Sequence, residues 1–440
     1  MEAKKIVTIC LLLLFTFAVP QLLWATNGMN MIGYGAASSG MGGADLALVD
    51  NVTAMNINPA GLAGCCGAQL SIGNSAMQPH NQHRDMHGND TQASAQVFHL
   101  PLLAWAYPLK NQPLIVGLGL FAQGGMGVQY DLRMPFADMF SLTREKDELS
   151  SEISYAKLTP TIAWCSDDRR LKIGASLNIG YANAEMSMFP HTSLFVDNNG
   201  DGIAVDAGEI AFFGMEMDDA QALATAMRFG FQYQLGKFTL GGAYLSSTKL
   251  KFDDGKTRIN YSAIGMGVVE YDTQLSGFNW PQQAGLGISY RVSSRLKVAI
   301  DVDWIDWSSA MKEITFIINS PDHPDAPAGM TTIYPMHWED QWVLALGVEY
   351  LVTSNWQLRL GYNHGNNPIP DEHLLPFFPA ISEDHITIGS GVKLGRWKVD
   401  FALEWALANR VNSTNSLFCK HGFDEEASQF TTHLMISYSL

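Results

Sequence analysis

The sequence predicts an all-β protein: a transmembrane, antiparallel, up-and-down β-barrel of about fourteen strands. Three observations predict it. Segments of about ten residues alternate apolar and polar side chains. Very short connections alternate with long ones along the chain. A secretory leader at the N-terminus carries the mature chain out of the cytoplasm.

The leader comes first. MEAKKIVTICLLLLFTFAVPQLLWA carries Lys4 and Lys5, an apolar run from Ile6 to Val19 and a small residue at Ala25. This order reads as a signal peptide over 1–25, cleaved after Ala25. The run is too short for a spanning helix, and no later segment is an unbroken apolar stretch of that length. Residues 26–66 follow, holding GYGAASSGMGG (33–43) and NVTAMNINPAGLAG (51–64), too rich in glycine and too irregular for a strand.

From residue 67 the period is two. In WQLRLGYN (356–363), Trp356, Leu358, Leu360 and Tyr362 share one face, and Gln357, Arg359, Gly361 and Asn363 share the other. WKVDFALEWAL (397–407) and LKIGASLNIGY (171–181) repeat the pattern. Alternation also suits a soluble sandwich, so the connections decide. Short links stand at 109–113, 167–170, 236–237, 293–295, 353–355 and 395–396, and long ones at 78–91, 124–149, 187–224, 311–340, 365–383 and 409–427. DDGK (253–256) is the one short link on the long side. One-sided turns and loops are the mark of a barrel with periplasmic turns and outer loops, both chain ends lying in the periplasm. Leu434, Ile436, Tyr438 and Leu440 continue the alternation to the last residue.

Composition closes other classes. A net charge of −16 lacks the basic footprint that nucleic acid requires. No nucleophile elbow, zinc-protease motif, phosphate loop or dinucleotide fingerprint occurs, so no enzyme is expected. Cys65, Cys66, Cys165 and Cys419 do not make a disulfide scaffold in a chain of 440 residues. A bridge from Cys65 or Cys66 to Cys165 and unpaired thiols both remain open. DNNGDGIAVDAGE (197–209) begins like a calcium loop at Asp197, Asn199 and Asp201, but the twelfth position is Gly208 and Glu209 comes one late. A structural calcium there competes with a plain acidic turn, and no other cofactor is implied. His80, His83 and His87 belong to a hydrophilic loop rather than to a zinc site.

GYGAASSGMGGADLALVDNVTAMNINPAGLAG resembles the N-terminal segment of the FadL/TodX family of outer-membrane transporters for long-chain fatty acids and aromatic hydrocarbons. SGFNWPQQAGLGISYRV (276–292), DVDWIDWS (301–308) and DQWVLALGVEYLVTSNWQLRLGYNHGNNPIP (340–370) resemble later stretches of that family in the same order. The resemblance implies that residues 26–66 fold back as a hatch inside a barrel formed by 67–440, with Asn58, Pro59 and Ala60 at its constriction. Glycine permits close backbone approach there, and Pro59 fixes its own φ and holds Asn58 extended. The family's kink in the third strand maps to Gly124 and Gly125, a side passage through the wall; paired glycines also mark a simple bulge. Outer loops would capture solute on Phe212, Phe213, Leu374, Leu375, Phe377 and Phe378, or those residues would pack as a lid. A short helix is expected at 217–227. The lumen-facing Lys157, Arg228 and Arg359 are candidates for holding a carboxylate head group, against pairing with Asp301, Asp303, Glu349, Asp400 or Glu404.

The expected function is a monomeric outer-membrane channel for diffusive uptake of hydrophobic compounds, long-chain fatty acids first. Its contacts would be hydrophobic small molecules and outer-membrane lipid. An aromatic-hydrocarbon channel and a structural or adhesive barrel are the alternatives.

Overall fold

A computed structural model describes residues 27–65, 67–134, 145–197, 210–414, 418–419 and 421–440. The leader expected over 1–25 lies outside the described residues, as do Asn199 and Asp201 of the calcium-like stretch. Fourteen antiparallel strands close a barrel. They are β1 Gln69–Asp85, β2 Phe98–Pro108, β3 Leu114–Arg133, β4 Lys146–Cys165, β5 Leu171–Val196, β6 Ile210–Leu235 and β7 Phe238–Leu245. The second half comprises β8 Gln283–Arg291, β9 Leu296–Ile305, β10 Gln341–Thr353, β11 Trp356–Gly365, β12 Asp384–Leu394, β13 Trp397–Ser413 and β14 Phe423–Ser439. β14 closes on β1, with Gln69 opposite Ser439 and Asp85 opposite Phe423. Closure pairs the first strand with the last, so neither end strand faces lipid, which offers no hydrogen bonds, with an open edge.

The apolar rows face outward. Ile72, Leu120, Ile173, Ile300, Leu360 and Trp397 are exposed on the outer surface, where lipid would cover them. Phe401 and Trp405 lie half-buried on the same row as Trp397. The polar rows are buried inward: Ser71, Thr159, Asn178, Asp301, Thr387, Glu404 and His433 are nearly inaccessible. A side-chain chain runs along that inner wall, with His433 bonded through one nitrogen to Ser75 at 2.8 Å and through the other to Glu404 at 2.9 Å. The six short turns fall at the end where β1 begins and β14 ends, as the spacing predicts.

The structure corrects three expectations at the opposite end. DDGK (253–256) is no turn; it lies within a strand, Lys251–Asn260, that pairs with β6 and with Val268–Ser276. Together with Glu313–Asn319 and Gly329–Pro335 these strands extend the sheet beyond the wall. The helix expected at 217–227 is instead the middle of β6, and Phe212 and Phe213 lie on that strand rather than in a loop. β3, β4 and β5 likewise run well into the segments expected to be loops, 124–149 and 187–224. Cys165 and Cys419 are free thiols, so no bridge to Cys165 forms.

Candidate functional site

Residues 27–64 sit within the lumen. The helical turn Ala36–Ser39 packs on β12, β13 and β14, and the 3-10 turn Pro59–Gly64 on β4, β5 and β6. Small residues make this possible. A Cβ on Gly174 of the wall would collide with the Pro59 carbonyl carbon, and one on Gly361 would collide with the Gly42 nitrogen. Backbone thus meets backbone where no side chain fits.

Polar wall residues then fasten the segment. The Asp301 carboxylate accepts the backbone N–H groups of Asp45 and Leu46, both at 2.7 Å. Gln232 donates to the carbonyls of Leu46 and Val49, Ser176 to Met55, and Asn363 to Gly42. Burial pushes the Asp45 carboxyl up to about 7, against the Ser38 hydrogen bond and the Arg228 charge, which lower it.

Asn58, Pro59 and Ala60 are fully or almost fully buried against β5 and β6. Asn58 caps the following turn by accepting from the Ala60 N–H at 3.2 Å. Its amide nitrogen donates to Leu46 O at 2.8 Å and to Phe231 O on the wall at 2.9 Å. A side chain that caps its own turn, binds the segment and binds the wall fixes all three together.

Gly124 and Gly125 follow a β-bulge: the β3–β4 register slips between Ala122 and Gly124, and Gln123 is the extra residue. Beyond the bulge β3 separates from β2. Their pairing ends at Leu102–Phe121, while β2 continues to Phe98 on β1 and β3 continues to Arg133 on β4. Phe98–Pro101 therefore have no partner on β3, and the wall opens there into a cavity of about 520 Å³. Met77, Phe98, Leu100, Met126, Ile153 and Ser154 line it, and a hydrogen bond from Ser94 N to Gln129 O spans its outer end. The displaced Gln123 turns inward. It donates to Asn30 and to the Tyr34 hydroxyl, and accepts from Asn56 at 3.2 Å. Met29 O stands against the place a Gly124 Cβ would occupy, so the start of the internal segment abuts the bulge. Gln123, Asp301 and Trp280, which donates to Asn30 at 2.7 Å, join the segment to the wall. Sequence reasoning gave Asp301 a part in joining wall and segment, through a cation rather than through backbone N–H groups, and gave Gln123 and Trp280 none, although Gln123 directly precedes the glycine pair.

The three lumen cations part company. Arg359 pairs with Glu349 at 3.1 Å and Asp400 at 2.8 Å, flanked by Lys297–Glu349 and Lys398–Asp400. Arg228 donates to Ile57 O of the internal segment at 2.7 Å. Lys157 is 2% exposed and has no carboxylate partner among the described residues. Because Glu349 and Asp400 each keep a lysine, Arg359→Met is expected to cost about 1–3 kcal/mol, below the ~3–5 of a buried pair broken outright. The shift in urea midpoint of the folded barrel measures it.

Among the proposed capture residues, Leu374, Leu375 and Phe377 are buried in an outer lid, while Phe212, Phe213 and Phe378 are half-buried against the same cluster. His83 bonds Glu425 at 2.7 Å and faces Asp85 at 3.4 Å, and no metal-holding trio occurs among the described residues.

No curated protein matches the chain. Solved structures do. The P. putida toluene transporter TodX superposes with a TM-score of 0.76 at 20% identity, over 93% of this chain and 99% of that one. The Ralstonia pickettii toluene transporter TbuX gives 0.71 at 21%, over 93% and 99%. A Pseudomonas aeruginosa FadL homologue gives 0.71 at 17%, over 94% and 99%. These likenesses establish the fold. The family described as outer membrane protein transport protein (OMPP1/FadL/TodX) matches residues 23–430. Inside-out barrel, filled lumen and family match agree: the chain belongs to the OMPP1/FadL/TodX family of hydrophobic-compound channels of the Gram-negative outer membrane, and it is not an enzyme.

Proposed function

We propose that this channel takes up long-chain fatty acids, the carboxylate resting on Lys157 and the alkyl tail leaving through the gap between β2 and β3. Lys157 carries the reading. A buried ammonium without an acid costs several kcal/mol, and Arg228 adds like-charge repulsion, so the site favours an incoming anion. Its position fits this role, because Lys157 lies two residues along β4 from Tyr155, the partner of Gly124 at the gap. Met77, Phe98, Leu100, Met126 and Ile153, the apolar part of a lining that also holds Gln96, His99 and Glu152, then offer the tail a path toward the bilayer. Half-buried Phe212, Phe213 and Phe378 are the first contacts at the outer end, and Asn58, Pro59 and Ala60 form the gate whose shift admits solute below.

Uptake of labelled oleate and labelled toluene tests this in cells that lack their own outer-membrane fatty-acid transporter and express this chain. Oleate uptake should exceed background, and Lys157→Met should lower it about tenfold, roughly 1.4 kcal/mol of head-group binding. Toluene uptake should not change in that variant. Toluene uptake alone would support the aromatic-hydrocarbon reading, and uptake of neither would turn attention to an adhesive or structural role.

A further inference from the structure

A chain of net charge −16 gathers six cations around one small cavity at the turn end of the barrel: Arg169, Arg170, Lys172, Lys237, Arg291 and Lys297. The cavity measures about 150 Å³, and one carboxylate, Asp50, lines it. Two of the six are neutralised nearby, Lys297 by Glu349 at 2.9 Å and Arg170, at the surface, by Asp168 at 3.8 Å. Lys172 donates to the neutral Gln232 at 3.3 Å. Arg169, Lys237 and Arg291 have no carboxylate partner among the described residues.

The placement is topological rather than accidental. Lys172, Gln232, Arg291 and Lys297 occupy inward rows of β5, β6, β8 and β9, and Arg169 and Lys237 sit in the turns 166–170 and 236–237. Ala47, Leu48 and Asp50 of the internal segment form the cavity's inner wall. Gln232, which touches Lys172, also holds the Val49 carbonyl at 3.0 Å. A group bound here touches the barrel wall and the underside of the segment that fills it.

We infer that this cavity is an anion-binding vestibule at the periplasmic mouth, built for the phosphate or carboxylate head of an amphiphile. The volume accommodates such a group and its first carbons. Guanidinium and ammonium donors give it charge-assisted hydrogen bonds, stronger than neutral ones. Excess positive charge at a recessed mouth also raises the local concentration of anions. The site is separate from Lys157 and does not depend on which solute the channel carries.

Titration calorimetry of the purified full-length protein in a non-ionic detergent tests it, with octyl phosphate, octanoate, octanol and inorganic phosphate as probes. Octyl phosphate and octanoate should bind with an affinity that falls as salt rises, whereas octanol should not bind. The double variant Lys237→Gln/Arg291→Gln should weaken both at least tenfold. Both residues are exposed at the rim, so the barrel should keep its heat-modifiable migration. Lys256→Gln, which removes an exposed cation at the opposite end of the barrel, should bind as the wild type does. Inorganic phosphate binding as tightly as octyl phosphate supports the anion site with a free anion as occupant, and weaker phosphate binding supports an amphiphile head. Equal affinities in the wild type and the double variant, or loss of binding in Lys256→Gln, overturn the inference.

Discussion

Replacing Asp301 by alanine is expected to loosen the internal segment and raise the leak through the barrel. Asp301 is fully buried on β9, and one carboxylate oxygen accepts two consecutive N–H groups, those of Asp45 and Leu46, across the lumen. Alanine leaves both donors buried without a partner, at about 1–3 kcal/mol each. Elsewhere wall side chains reach the segment's carbonyls, as Arg228, Asn363 and Gln232 do, or its side chains, as Gln123 does, rather than its N–H groups. The wall is held by its own backbone ladder and should stay closed, so the effect falls on the filling rather than on the barrel. Planar-bilayer recordings should show larger or more frequent openings in Asp301→Ala than in the wild type, with unchanged heat-modifiable migration. Asp301→Asn, which keeps one acceptor oxygen, should lie between them. Wild-type conductance in Asp301→Ala would mean that packing, not this carboxylate, seats the segment.

How far the sequence discloses such features depends on where they sit relative to the bilayer. The wall strands were legible because lipid on one side and a polar lumen on the other impose a period of two, as in Trp356–Gly365 and Trp397–Ser413. Beyond the membrane neither constraint acts. Lys251–Asn260 reads KFDDGKTRIN, whose Asp-Asp-Gly looks like a turn, yet it pairs along its length with β6 and Val268–Ser276. Similarly, AQALATAM within β6 has the propensity of a helix, and flanking strands override it. The glycine pair at 124–125 could be read because glycines rarely adjoin in a strand without reason. The inward turn of Gln123 could not, since it depends on a one-residue register slip that no local pattern encodes.

That slip also decides how the gap should be probed. Bulky residues at Gly124 or Gly125 are a poor test of passage. A Cβ at Gly125 would collide with Ile153 O, and one at Gly124 would collide with Met29 O, so both substitutions disturb backbone. Ser154 offers a cleaner position. It pairs with Gly125, is exposed on the outer face and lines the gap cavity. Ser154→Trp should fold normally, because an indole is well tolerated on a lipid-facing surface, and it should fill the passage beside Met126 and Phe98. Uptake of labelled oleate should then fall about tenfold or more, roughly 1.4 kcal/mol added to the barrier, while Ser154→Thr transports as the wild type does. If Ser154→Trp transports unimpeded while Asp301→Ala leaks, solute must pass the internal segment toward the periplasm instead. The opening in the wall would then be a structural consequence of seating Gln123 against Asn30 and Tyr34, and not an exit.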